Sequence, residues 1–135
     1  MDSENLGDFV KHDLLSDALS IINNAENVGK DECLIPVSNF IKNVLEVIKE
    51  SGYVEEIVYH NDKKKFLVKL AGKINKIKII KPRFSVKKDE YDSWERRYLP
   101  SRSIGILVVS TSKGIMNQKQ AVKQGLGGKL VAYAY

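Results

Sequence analysis

The chain has 135 residues, 43% hydrophobic and 29% charged, with one cysteine and a net charge of +5. That length suits one domain, or two small ones sharing an interface, and buries a core without staples. The composition excludes a disordered or collagen-like chain, and a lone Cys33 excludes an internal disulfide and a multi-cysteine zinc site. No apolar run approaches the roughly 20 residues of a membrane span. The acidic start Met1-Asp2-Ser3-Glu4 does not suit a signal peptide. A soluble, intracellular protein is expected.

In chain order, residues 1–12 read as a polar arm. A helix is expected from about Asp13, with Leu15, Leu19 and Ile22, and Ala18, Ile22 and Ala25, at helical spacing, stopping at Gly29. Leu34-Ile35-Pro36 is a short strand candidate. Ser38 or Asn39 can cap a second helix whose stripe is Phe40 or Ile41, Val44, Leu45 and Ile48. The period then changes to two: Tyr53–Tyr59 and Lys65–Leu70 form a hairpin across residues 60–64. Residues 13–71 thus read as an N-terminal α-β-α-β-β subdomain, with Gly72 at the boundary.

Residues 72–135 read as a mostly β subdomain with a short helix. Lys73–Ile80 is β-rich and is ended by Pro82, which lacks a ladder amide. Residues 85–100 leave helix or strand open, with Trp94 and Tyr98 four apart. Ile104–Val109 is an apolar run of the kind that makes a buried strand. Asn117 with Gln120 starts a short helix that ends at Gly125. Lys129–Tyr135 closes the chain as a strand. The fold class is α+β, two small packed subdomains.

Charge divides along the same line. Residues 1–60 hold twelve acids and four bases, a net −8; residues 61–135 hold five acids and eighteen bases, a net +13. Such asymmetry suits a polyanion bound on one side. RNA contacts are therefore expected mostly beyond residue 61, with the acidic part facing solvent or a protein neighbour.

No catalytic set emerges. His12 and His60 are isolated, Cys33 sits in an apolar strand where a buried, unreactive thiol is expected, and Glu55-Glu56 and Asp89-Glu90 are adjacent pairs that diverge. No metal-ligand spacing, cofactor motif or small-molecule site is found; Gly125-Leu126-Gly127-Gly128 follows a helix and precedes a strand, the reverse of a dinucleotide fingerprint. Its plain role is a helix stop and turn. Glycines also let backbone approach a phosphate or sugar closely. Ser110-Thr111-Ser112-Lys113-Gly114 has two readings of the same kind. Its hydroxyls can satisfy local amides in a strand-to-helix connection, or meet sugar hydroxyls and base edges. Lys76 through Phe84, Lys87-Lys88 and Arg96-Arg97-Tyr98 interleave cations with aromatic rings.

Four runs carry a resemblance: Lys81-Pro82-Arg83-Phe84; Arg97-Tyr98-Leu99-Pro100-Ser101-Arg102; Gly105 through Met116 with Ser-Thr-Ser-Lys-Gly at its centre; and Gly127-Gly128-Lys129. Together with Asp17 through Glu26, they make residues 13–135 similar to the family of small-subunit ribosomal protein eight, in its archaeal or eukaryotic branch. Bacterial members usually carry Glu where this chain has Lys129. The resemblance implies binding to a central-domain stem of small-subunit rRNA with an irregular internal loop, chiefly through the C-terminal subdomain. It also implies ribosomal protein neighbours, a cytoplasmic ribosomal location and a role in subunit assembly without bond chemistry. Bacterial members additionally repress translation through an mRNA mimic of the site. A free-standing RNA-binding translational regulator is the alternative reading.

The expected RNA-binding residues are Ser110, Thr111, Ser112 and Gly114 for shape, with Gly127, Gly128 and Lys129 beside them. Lys76, Lys81, Arg83, Lys113 and Lys129 are expected on phosphates. Arg102 fits a strand-start ion pair instead.

Overall fold

The computed structural model describes residues 3–101 and 104–135, with residues 3–13 described by backbone alone; Arg102 lies outside the described residues. The first helix, α1 (Ser3–Asn27), starts ten residues before the expected Asp13. Leu6, Phe9 and Val10 lie at helical spacing ahead of Leu14, so the periodicity continues through a stretch that composition alone marks as polar. After α1, Gly29 (φ +75°) and bonds from Gly29 N to Glu26 O and Lys30 N to Ala25 O turn the chain.

Strand β1 (Glu32–Ile35) follows, then α2 (Asn39–Glu50). Ser38 caps α2 as expected, its hydroxyl oxygen accepting from Ile41 N at 3.0 Å, which satisfies one of the free first-turn amides. Ile41, Val44, Leu45 and Ile48, at helical spacing, are all buried. The hairpin of β2 (Val54–His60) and β3 (Lys65–Leu70) then completes an antiparallel sheet in the order β1-β3-β2.

Beyond Gly72 come β4 (Ile77–Ile79), β5 (Ser85–Val86), α3 (Tyr91–Tyr98), β6 (Ile106–Thr111), β7 (Gly114–Asn117), α4 (Gln118–Gln124) and β8 (Gly128–Ala134). The second sheet runs β4-β8-β6-β7, with β5 also on β8. This part holds the expected short helix α4 and a second one, α3, in the stretch 85–100 where the sequence leaves helix or strand open. In α3, Tyr91, Trp94 and Tyr98 share a face; Tyr91 is buried and the Trp94 and Tyr98 rings stack at 6.3 Å. The intervening Asp92, Glu95, Arg96 and Arg97 hide that face in the composition. The predicted start of α4 is present: Asn117 Oδ1 accepts from Gln120 N at 2.9 Å, and Gly125 ends the helix in the left-handed region.

The second sheet is covered on both faces. On one, Ile77, Ile106, Val108, Ala132 and Ala134 join α1, α2 and the first sheet in one core. On the other, Leu107, Val109, Leu130 and Tyr133 pack with Tyr91 and Ala121 of the shorter helices. Strands buried on both faces read as continuous apolar runs, which is why Ile106–Val109 shows no alternation. Gln118 is fully buried, its side-chain oxygen accepting from Leu107 N at 2.8 Å, and so fastens α4 to β6.

Cys33 lies in the edge strand β1, half-buried rather than fully enclosed. Burial, reinforced by the nearby Glu26 charge, pushes its thiol from 9.0 to about 11. At pH 8 the native thiolate population should be about a hundredfold below that of an ordinary thiol, since each unit is a factor of ten. A disulfide reagent should label the folded protein more than tenfold slower than the urea-unfolded chain; equal rates would contradict this. The folded state keeps the proton that the unfolded chain loses above pH 9.0, so stability should fall between pH 9.0 and about 11. Cys33→Ala should remove that part of the decline.

Candidate nucleic-acid interface

Strands β6 and β7 are joined by a two-residue turn, Ser112-Lys113, with Thr111 paired to Gly114 and Ser110 to Ile115. The expected strand-to-helix connection is therefore a hairpin, and the helix begins only after β7. Thr111 closes the hairpin from within. Its hydroxyl donates to Gly114 O at 2.8 Å and accepts from Lys113 N at 3.1 Å. That hydroxyl serves the turn, as the local-amide reading had it. Ser112 and Lys113 are exposed and Ser110 is half-buried, which leaves these side chains at the tip and flank. Gly114 adopts φ +115° with no atom near its missing Cβ, so it is needed there for conformation.

Gly127 and Gly128 are needed for the opposite reason, which is space. A Cβ on Gly128 would lie 2.4 Å from Ser110 O and 2.8 Å from Val109 Cγ1; one on Gly127 would lie 2.5 Å from Val86 O. The chain passes here between β5 and β6 with room for backbone alone. Tyr91 supports the approach by donating its hydroxyl to Leu126 O at 2.9 Å. Lys129 follows, exposed, in register with Ser85 on one side and Ser110 on the other. Cross-strand partners project from the same face, so Ser85, Lys129 and Ser110 form one row across three strands. Nothing in the local sequence of Ser85 marks it; only the register brings it here.

The remaining expected cations divide. Lys81 is exposed in the β4–β5 connection, just after Ile80, whose amide donates to Val131 O. Arg83 places its guanidinium 4.7 Å from the Phe40 ring centre, tying this connection to the first turn of α2. It is a clasp between the two halves of the molecule as well as a cation. Lys76 bonds through its backbone to Tyr135, at the far end of β8 from Lys129. Six residues of strand separate them, about 20 Å, so Lys76 stands apart from the hairpin cluster. Arg97 lies 5.3 Å from the Phe84 and Trp94 ring centres and 5.8 Å from that of Tyr98.

Among the described residues no group of three or more His, Cys, Asp or Glu could hold a metal ion, and no helix is long and apolar enough to cross a membrane. Small hydroxyls, bare backbone and lysines thus lie together on one end of one sheet within an α+β scaffold. The family model described as Ribosomal protein S8 matches residues 13–135. The small ribosomal subunit protein uS8 of Archaeoglobus fulgidus is 51% identical over 126 residues, covering 91% of this chain and 98% of that protein. The chain belongs to the ribosomal protein S8 family.

Gly128→Ala tests the close approach. The new methyl group meets backbone in an interior strand pair, which cannot give way cheaply. Overpacking of this kind should cost roughly 2–3 kcal/mol in urea unfolding and shift the amide resonances of Ser110 and its neighbours. Wild-type stability in the variant would show that β6 and β8 are not held as close as described.

Proposed function

We propose that this protein is a structural constituent of the small ribosomal subunit that binds a central-domain rRNA stem at its irregular internal loop and holds that fold during assembly. Family membership and the relative's name support the ribosomal role. The RNA-binding detail rests on one observation: Gly128 sets its backbone against Ser110 O, which brings the hydroxyl hairpin and Lys129 onto one end of one sheet. Lys113, Lys129 and Lys81 supply affinity by releasing counterions from phosphates. Ser110 and Ser112, short groups that both donate and accept, read sugar hydroxyls and base edges in a distorted minor groove. Thr111 and Gly114 hold the hairpin in the shape that presents them. Arg83, packed on Phe40, orients the connection that carries Lys81.

The roles of hydroxyl and charge separate in a salt series. Ser110→Ala with Ser112→Ala, keeping Thr111, leaves charge and hairpin closure intact. Two lost hydrogen bonds at about 1 kcal/mol each should weaken a stem carrying the internal loop by at least tenfold. Binding to a plain duplex and the slope of log affinity against log salt should stay near wild type. Lys81→Ala with Lys129→Ala should weaken both RNAs and reduce the slope by roughly 0.7–0.9 per phosphate contact. Equal weakening of both RNAs by the serine pair would remove the hairpin from recognition.

A further inference from the structure

A cleft lies away from the hairpin, between α1, the outer edge of β4 and the end of α3. It encloses about 400 Å³ and is lined by Ser16, Lys78, Ile79, Lys81, Tyr98 and Tyr133 among others, a size in the range of small-ligand sites. Its walls follow from the strand pairing. Lys78 is in register with Tyr133, so the two share a face. Tyr98 packs on Tyr133 with ring centres 5.2 Å apart. Arg97 stands 5.8 Å from the Tyr98 ring centre.

The backbone edge matters equally. Lys76 and Tyr135 exchange both of their hydrogen bonds. In an antiparallel ladder the next residue's groups then point outward. The outward amide of Ile77 is taken by Asn23 Oδ1 at 3.3 Å. The next outward pair belongs to Ile79, which lines the cleft, and no described strand pairs on that side. Lys78 and Lys81 are exposed, and among the described residues neither has a carboxylate partner.

We infer that this cleft is a second RNA contact, which takes one unpaired nucleotide with its base on the half-buried Tyr98 ring, backed by the buried Tyr133, and its phosphate between Lys78 and Lys81. Base stacking on aromatic rings tolerates any sequence, while cations track the backbone. The outward amide and carbonyl of Ile79 offer a donor and an acceptor to a base edge. The Lys78–Tyr133 pair stands four residues along β8 from Lys129, about 13 Å, so one folded RNA can reach both sites. This inference rests on the proposed RNA-binding function.

The test uses the full chain and small-subunit rRNA transcribed with 4-thiouridine. Irradiation should yield cross-linked peptides containing Tyr98 or Tyr133, besides any from the hairpin. Lys78→Gln should weaken binding at least threefold and lower the salt slope by roughly 0.7. Tyr98→Leu should weaken it about fivefold or more without changing the slope. If Tyr98→Leu impairs folding, the exposed Lys78→Gln and the cross-links carry the test. Wild-type affinity and slope in Lys78→Gln, with cross-links on the hairpin alone, would overturn the cleft while leaving the proposed function standing. Failure of the wild-type protein to bind would overturn both. Loss of a ribosomal protein neighbour with unchanged RNA affinity would make the cleft a protein-docking edge and overturn this inference.

Discussion

Strand β8 is approached from both sides, and where β5 and β6 close on it the space admits only backbone. Val86 O and Ser110 O would each lie within about 2.5 Å of a Cβ at Gly127 or Gly128. Everything at this end of the molecule depends on that clearance. With β5 and β6 drawn in, Ser85, Lys129 and Ser110 fall into one row. With Leu126 held by the Tyr91 hydroxyl, α3 is fixed against the same turn. A larger residue at Gly128 would part β6 from β8 and move the hairpin, which is the far end of β6, away from Lys129.

The clearance also explains how a rigid surface for the proposed recognition forms on so small a chain. Loops usually carry function because a scaffold positions them. Here the loop is reduced to two residues, and both strands that feed it are anchored. β6 is buried on both faces and bonded by the Gln118 side chain. β7 continues directly into α4, capped by Asn117. The backbone of Ser112 and Lys113 therefore has little freedom to lose on binding, so a neutral hydrogen bond of modest worth made by Ser112 is offset less by ordering of the chain. Thr111 contributes from the inside by giving both functions of its hydroxyl to the turn.

Much of this was legible in residue order. The N-terminal α-β-α-β-β order follows from the change of hydrophobic period at residue 53, and Ser38, Asn117 and Gly125 mark helix ends through chemistry that acts within a few residues. What stayed hidden depends on partners distant in sequence. Ser85 is unremarkable until register sets it beside Lys129. Arg83 looks like one more free cation until α2 brings Phe40 under it. Lys76 and Lys81 lie five residues apart, yet Lys76 pairs with the end of β8 while Lys81 follows the bond to Val131. The helix α3 was obscured because its apolar face is aromatic and its other positions are charged. Distinguishing a hairpin from a strand-to-helix connection at Ser110–Gly114 needed the pairing of Gly114–Asn117 with β6, four residues too few to show a period.

The division of charge acquires a structural meaning from the shared core. The acidic first part and basic second part are not separate bodies, because Ile77, Ile106, Val108 and Ala132 pack in the same cluster as α1 and α2. Glu26 near the end of α1 has its carboxyl pushed up by burial, partly offset by a hydrogen bond from the Gly72 amide at the junction of the two sheets. Arg83 makes the reverse connection, a cation of the basic part resting on an aromatic ring of the acidic part. A polyanion bound to the second sheet thus meets a surface whose orientation is set by the first. Like charge on the α1–α2 side would disfavour wrapping of a bound RNA around that part, and leaves the basic second sheet as the favourable face for the proposed contact.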